Sequence, residues 1–437
     1  MVVATSDPAP LLALAQRWSV GAAVIGTFTG DRQLVVRDGG TKVIDLSCAF
    51  LHDGRPQRRM KALAVSALRP ERSEVTFETV QMLLDLLAHP SIRSNEAVVR
   101  TFDHEVLGGT LVRPYGGVLG DGPGDGTVVI PPGTSGQRGM ALGIGVNAVI
   151  GTIDPEAMAW NVIDEAVRNV VVAGGDPMEL SLLDNFAWGD PTDPATLGGL
   201  VAACRACHDA ALAFGAPFVS GKDSLYNVFI PPDGEPDPVA PTLVITAVGL
   251  VKNLAVVPLT GVTEVGNDVW LVGPADGELG GSHFDRVLGA DHGGPVPPAD
   301  PGAVERHRDL AGAIAAGLVR SAHDLSEGGL AVAAAEWALA GRLGLDIDVG
   351  DTASALFGER AGRYLVEVKV ADSERFRALV PSAMWVGSVT SDPVVRFGDT
   401  EIELDRIVAA YTGHGGWVDH QHATTGVETE MKTGVKP

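Results

Sequence analysis

Two short segments carry residue types that can meet a phosphate and its metal. The first is Leu183-Asp184-Asn185-Phe186-Ala187-Trp188-Gly189; the second is Ser220-Gly221-Lys222-Asp223-Ser224. Each follows an apolar, strand-like run, and each reads as a loop offering small residues, carboxylates or hydroxyls. Two such loops on neighbouring strand ends make a nucleotide site, which points to ATP-dependent chemistry. A Walker A loop is excluded: that motif needs four residues between its glycines and Ser or Thr directly after the Lys. Here five residues separate Gly215 from Gly221, and Asp223 follows Lys222. The Gly221 N–H, the Ser224 hydroxyl and a carboxylate can instead contact phosphate or Mg²⁺. The same residues also suit a plain turn.

Further oxygen donors lie elsewhere. Glu165 and Asn169 are four apart and share one helix face; both suit Mg²⁺, and both suit an ordinary solvated face. In Ser321-Ala322-His323-Asp324-Leu325-Ser326-Glu327-Gly328-Gly329, the glycines at a helix start leave N–H groups free for an anion. Asp324 can hold a metal there and His323 can act as acid, base or donor; helix capping by Asp324 or Ser326 explains the same residues. Asp125, in the turn Gly120-Asp121-Gly122-Pro123-Gly124-Asp125-Gly126, fits a metal or the turn itself. Cys204-Arg205-Ala206-Cys207-His208 matches a haem-attachment pattern, but it falls within an amphipathic helix and no export signal precedes it.

These residues need elements to position them. Asp154-Pro155 and Asp193-Pro194 each read as a helix start, with Asp as cap and Pro at the first helical position. Gly174-Gly175 and Gly215 read as the corresponding ends. A further helix is expected over Thr76 to Ala88, and a small-residue buried helix over Leu330 to Ala340. Asp268 to Gly273 and Tyr364 to Val370 read as strands, and Asp291 to Pro301 as a surface loop. Near the start, Val24 to Asp31, Leu34 to Arg37 and Val43 to Leu46 read as three short strands. Val386 to Asp392, Val394 to Phe397 and Ile402 to Leu404 echo them near the end. Duplication would explain the echo, with the chain opening on the tail of one unit and then holding a complete second unit; a chance likeness of short β-meanders also explains it. Gly413 to Pro437 has no periodicity and is expected to be a disordered tail.

A chain of 437 residues suits two or three domains. Its net charge of −23 argues against a nucleic-acid or anionic-membrane surface. No uninterrupted apolar run reaches the roughly 20 residues that span a bilayer. Three cysteines make no disulfide framework, and a reducing cytoplasm fits.

Taken in order, the motifs resemble phosphoribosylformylglycinamidine synthase, the ATP-dependent synthetase of purine biosynthesis, in its second half. The strongest stretch runs from Asp164-Glu165-Ala166-Val167-Arg168-Asn169 through Asp184-Asn185-Phe186-Ala187-Trp188-Gly189 to Ser220-Gly221-Lys222-Asp223-Ser224, with His323-Asp324-Leu325-Ser326-Glu327-Gly328-Gly329 in support. The resemblance implies an α/β fold: an aminoimidazole-ribonucleotide-synthetase-like N-domain (61–251) and C-domain (252–412), preceded by the tail of a first-half C-domain (1–60). N-domains of the two halves pair into a barrel-like sheet, with active sites in the clefts between halves. The implied reaction joins glutamine-derived ammonia to formylglycinamide ribonucleotide at the expense of ATP.

By the same resemblance, Asp184, Gly221 and Lys222 contact ATP and Ser224 the ribonucleotide. Lys222 stands where many small-subunit members have a metal-binding Asn. A protonated Lys cannot ligate a metal, so either Lys222 meets phosphate or Asp223 approaches the Mg²⁺. Asp125, Glu165, Asn169 and Asp324 match the metal ligands of a second nucleotide, with Ser326 and His323 beside them. The catalytic histidines of the family lie in its first half; here the equivalent strand, Gly143-Ile144-Gly145-Val146-Asn147, carries none. The implied partners are a chain carrying the first half, a glutaminase and a small bridging subunit. A self-pairing aminoimidazole ribonucleotide synthetase and a non-catalytic nucleotide-binding scaffold are the alternatives.

Overall fold

The computed structural model describes residues 1–64, 69–232 and 234–413. The expected disordered tail therefore lies outside the described residues, Gly413 apart. Contacts divide the chain into two units, 1–60 and 61–437. In the first, helix α1 (Ala9–Arg17) precedes an antiparallel hairpin of β1 (Gln33–Asp38) and β2 (Thr41–Ser47), closed by a short helix α2 (Cys48–Asp53). Val24 to Asp31 forms no strand, so the expected three-strand pattern is a two-strand hairpin here.

The second unit begins its regular structure with α3 (Thr79–Ala88). The Glu78 carboxylate accepts from Val80 N at 3.1 Å and Gln81 N at 2.7 Å, so the helix starts later than Thr76. A six-stranded sheet follows. Its strands are β3 (Thr110–Val112), β4 (Gly126–Val129), β5 (Gly139–Val146), β6 (Leu180–Trp188), β7 (Phe218–Leu225) and β8 (Thr242–Val251), in the order β3-β4-β5-β8-β6-β7. All neighbours are antiparallel except β6 and β7. Between them run α4 (Pro155–Val172) and α5 (Pro194–Phe214). Both begin as the Asp-Pro pairs dictate: Asp154 accepts from Ala157 N at 3.0 Å and Asp193 from Thr196 N at 2.7 Å. Gly215 ends α5 in the left-handed conformation at φ +65°.

By length and composition α5 could cross a membrane, contrary to the expectation from the bare runs. It packs against α4, with Gly199 facing Pro155 at the start of that helix and Ala203, Ala206 and Ala210 buried along its length.

Gly143 and Gly145 explain how closely α4 lies on the sheet. A Cβ at either position would run into a helix carbonyl, Ala166 O or Val162 O. These glycines serve packing, so the strand is no phosphate loop. Along β8, exposure alternates at every residue, with Leu243, Ile245 and Ala247 fully buried beneath α4. The opposite face of the sheet is less covered: Ile144 and Val146 are 53% and 39% exposed.

A seven-stranded sheet completes the unit. In chain order its elements are β9 (Asp268–Val272), α6 (Ala303–Ala315), β10 (Val319–Asp324), α7 (Gly329–Gly341), β11 (Gly344–Ile347), β12 (Tyr364–Val368), α8 (Ser373–Leu379), β13 (Ala383–Thr390), β14 (Val394–Phe397), β15 (Thr400–Glu403) and α9 (Leu404–Tyr411). The strand order is β10-β12-β9-β13-β11-β14-β15, and only β11 and β14 are parallel. One face joins a core continuous with α4 and the six-stranded sheet; α3, α7 and α9 cover the other. Residues 291–300 form a loop, as expected, but Gly293, Gly294, Val296 and Pro297 are buried in it.

Candidate functional site

The two phosphate-type segments are not loops. Asp184 to Trp188 lie within β6, and Ser220 to Ser224 within β7, the outermost strand of the sheet. Gly, Lys, Asp and Ser are poor strand formers, yet pairing with β6 holds them extended. The register sets Asp184 opposite Gly221, Asn185 opposite Lys222 and Ala187 opposite Ser224. Gly221 leaves room for the Asp184 carboxylate, which a Cβ there would force aside.

Strand alternation separates the set into two faces. Asp184 and Asp223 share one face: burial, then Asp223, pushes the Asp184 carboxyl above the usual range. Burial and the same two carboxylates push the Cys204 thiol of α5 up. Lys222 and Ser224 share the other face, where the Lys222 Nζ donates to the Ser224 Oγ. The cysteine pair is a helix-packing feature, with Cys204 exposed, Cys207 buried and both free.

The second constellation is gathered into one cavity of about 200 Å³, lined by Asp125, Glu165, Asn169, His323, Asp324 and Ser326, with Glu327 and Glu336 added. Helix α4 supplies Glu165 and Asn169, the end of β10 supplies His323 and Asp324, and the turn before β4 supplies Asp125. Donor atoms of Asp125, His323 and Asp324 lie within 4.8 Å of one another. The His323 Nδ1 is 2.7 Å from Asp125 Oδ1, and its Nε2 is 3.3 Å from Glu336 Oε2. Burial opposes charge on this ring, but Asp125 and Glu336 outweigh it and hold His323 protonated well above the usual histidine range. Burial and Asp125 push the Asp324 carboxyl up, against Arg168 and His323. Burial, then Glu327, does the same to Glu165.

Arg168 organises this wall. Its guanidinium donates to Asp164, to Asp324 Oδ2 (3.2 Å from Nε), to Leu325 O (3.3 Å) and to Ser326 Oγ (3.0 Å). Ser326 in turn donates to Asp324 at 2.8 Å. Asp164 also binds His307 Nε2 at 2.9 Å and accepts from Gly362 N at 2.8 Å. Arg168 and Asp164 had no assigned role in the sequence, although their i, i+4 spacing is a legible ion-pair signal. Glu336 was equally visible as the one charge within the apolar run Leu330 to Ala340.

The cavity suits a hard divalent cation. The Asn169 amide donates to Ile144 O at 2.8 Å, which turns its Oδ1 away; that oxygen is buried without a hydrogen-bond partner. Glu165 spends one oxygen on Val146 N at 3.0 Å. The oxygen-rich set left over fits Mg²⁺ better than a thiolate- or imidazole-seeking metal. Protonated His323 serves as a charge partner of Asp125 rather than as a ligand. Asp223 does not line this cavity.

Residues 124–251 match the family described as AIR synthase related protein, N-terminal domain, and residues 264–399 match its C-terminal domain. The chain belongs to the AIR synthase related family. Within it, the sequence is homologous to phosphoribosylformylglycinamidine synthase subunit PurL. The Nocardioides subunit is 33% identical over 430 residues, covering 94% of this chain and 54% of its own length. The Rhodopseudomonas palustris subunit is 32% identical over 366 residues, covering 82% of this chain and 47% of its own. The chain thus spans about half the length of the curated relatives it matches. In fold it is similar to Thermotoga maritima PurL complexed with FGAR (TM-score 0.57, 17% identity), over 77% of this chain and 54% of that one. It is also similar to a chain of the PurLQS structure from the same organism (TM-score 0.54, 17% identity), over 74% and 51%.

Proposed function

We propose that this chain is the second synthetase half of phosphoribosylformylglycinamidine synthase, acting on formylglycinamide ribonucleotide with ATP and glutamine-derived ammonia. One observation carries the reading: Gly221, Lys222 and Ser224 stand on the outermost strand beside Asp184 of β6, and the register puts Lys222 and Ser224 on the less covered face, in line with Val146. Lys222 and Ser224 would form half of a cleft there, with Asp184 and Gly221 meeting ATP from the other face of the sheet edge. Exposed Val219, Leu225, Tyr226, Phe229 and Ile230 surround them, and an apolar partner surface would cover these. The partner is a chain carrying the first half and its histidines.

The division into residues 1–60, 61–251 and 252–412 belongs to this proposal. The hairpin-and-helix order of β1-β2-α2 and of β14-β15-α9 supports a duplicated tail. Because the T. maritima assembly is named PurLQS, two further subunits, a glutaminase and a bridging chain, are the expected associates. A cytoplasmic setting goes with that role.

At the sheet edge, Lys222 would neutralise phosphate charge, and Ser224, bonded to it, would orient the ribonucleotide. ATP would supply the phosphoryl group that activates the amide oxygen, a step that depends on positioning and charge neutralisation. In the cavity, Asp125, Glu165, Asn169 and Asp324 would hold the Mg²⁺ of a second, structural nucleotide. Magnesium would supply charge neutralisation for its phosphates.

The deciding experiment is an assay of the purified chain for ATP- and ammonia-dependent amidation, alone and with a first-half protein. Activity is expected only in the mixture. Activity of the chain alone would overturn the split site; inactivity in every mixture, with nucleotide still bound, would favour a scaffold. Asp184→Ala should raise the ATP concentration needed by the mixture.

A further inference from the structure

A second, smaller cavity of about 20 Å³ adjoins the first, lined by Asn147, Asn161, Glu165, Arg168, Glu327 and Glu359 among others. We infer that it is a separate divalent-cation site, with Glu359 as its own ligand and Glu165 and Glu327 on the wall it shares with the Mg²⁺ cavity.

The first argument is an atom without a partner. The Glu359 carboxylate is 4% exposed, and its Oε1 accepts from His283 N at 2.7 Å and Gly328 N at 2.8 Å. Its Oε2 is buried and has no hydrogen-bond partner. A buried carboxylate oxygen left bare is destabilising, and a cation in the cavity that Glu359 lines would satisfy it.

The second argument is charge. Three carboxylates line this space against one guanidinium, and Arg168 directs its donors to Asp164, Asp324, Leu325 O and Ser326 rather than to Glu165 or Glu327. His283 Nδ1, 3.2 Å from Glu359 Oε1, reaches the oxygen that is already satisfied.

The third argument is size and donor type. A space of this volume accepts one water-sized body. Carboxylate and amide oxygens select Mg²⁺, Mn²⁺ or Ca²⁺. The inference rests on the proposed function only through the sharing of Glu165 and Glu327 with the larger cavity.

The test is Mn²⁺ titration of the full chain, with free Mn²⁺ read by electron paramagnetic resonance. Glu327→Gln and Glu359→Gln should each bind one Mn²⁺ fewer per chain than the parent. Asn169→Leu, which touches only the larger cavity, should lose a different ion, so that combining it with Glu327→Gln loses two. The Gln side chain at 359 can still accept from Gly328 N, and circular dichroism in EDTA checks the fold; if that variant fails to fold, Glu327→Gln carries the result. An unchanged Mn²⁺ count in Glu327→Gln, or no Mn²⁺ bound by the parent, would overturn the inference. Failure of the amidation assay with the Mn²⁺ count still reduced would remove the proposed reaction and leave this site standing.

Discussion

The Arg168 Nη2 lies 3.1 Å from Asp324 Oδ2, and both side chains are almost fully buried. One guanidinium thus fixes a carboxylate of the Mg²⁺ cavity on β10 from a helix that belongs to the other sheet. Substituting Arg168→Met would take the guanidinium away from both Asp164 and Asp324. Breaking a buried pair in this way costs roughly 3–5 kcal/mol. Urea unfolding of the variant should show a loss of that size; a loss below about 1 kcal/mol would mean the network is not structural.

Asp164 gives a pH dependence. Burial opposes its ionisation, but Arg168 and His307 outweigh burial and hold its carboxyl far below the usual aspartate range. The folded state therefore keeps Asp164 ionised where the unfolded chain takes up a proton, below about pH 3.9. The stability it contributes is present above that pH and is lost as pH falls towards the folded value, at about 1.4 kcal/mol per pH unit. Asp164→Asn should flatten the acid limb of a stability–pH profile by that slope. Superimposable acid limbs would contradict the assignment.

The glycines under α4 predict a packing effect. Gly145→Ala pushes Val162 O away from the strand and should cost roughly 1–3 kcal/mol, seen as a lower melting temperature in EDTA. An unshifted melt would show that the helix can retreat freely.

Asn169 predicts a ligand effect. If its unpartnered Oδ1 meets Mg²⁺, the parent chain should gain roughly 2.7 kcal/mol of stability from Mg²⁺ and ADP at a hundredfold excess over the dissociation constant. Asn169→Leu should lose most of that gain while melting near the parent in EDTA. An equal gain in both proteins would place the nucleotide elsewhere.

The sequence made some of this visible by local chemistry. Asp154-Pro155 and Asp193-Pro194 marked α4 and α5 because a cap and a proline are read from adjacent residues. The grouping of Asp125, Glu165, Asn169 and Asp324 came from a family resemblance, since spacing alone gave four unrelated candidates; the fold brings all four to one cavity. Ser220 to Ser224 was misread as a loop because composition cannot reveal a neighbouring strand that supplies hydrogen bonds. The partition of Asp184 and Asp223 from Lys222 and Ser224 needed that strand assignment first. Glu359 was invisible for another reason: it meets Gly328 across 31 positions of sequence, and nothing nearby marks it.

Helix α4 touches β5 and β8 on one side and β10 and α6 on the other, with one continuous apolar core around it. Neither sheet can shed this helix without opening its own interior. The consequence is kinetic as much as structural: residues 155–172 should be the slowest amides to exchange with deuterium, and both sheets should melt in one shared transition.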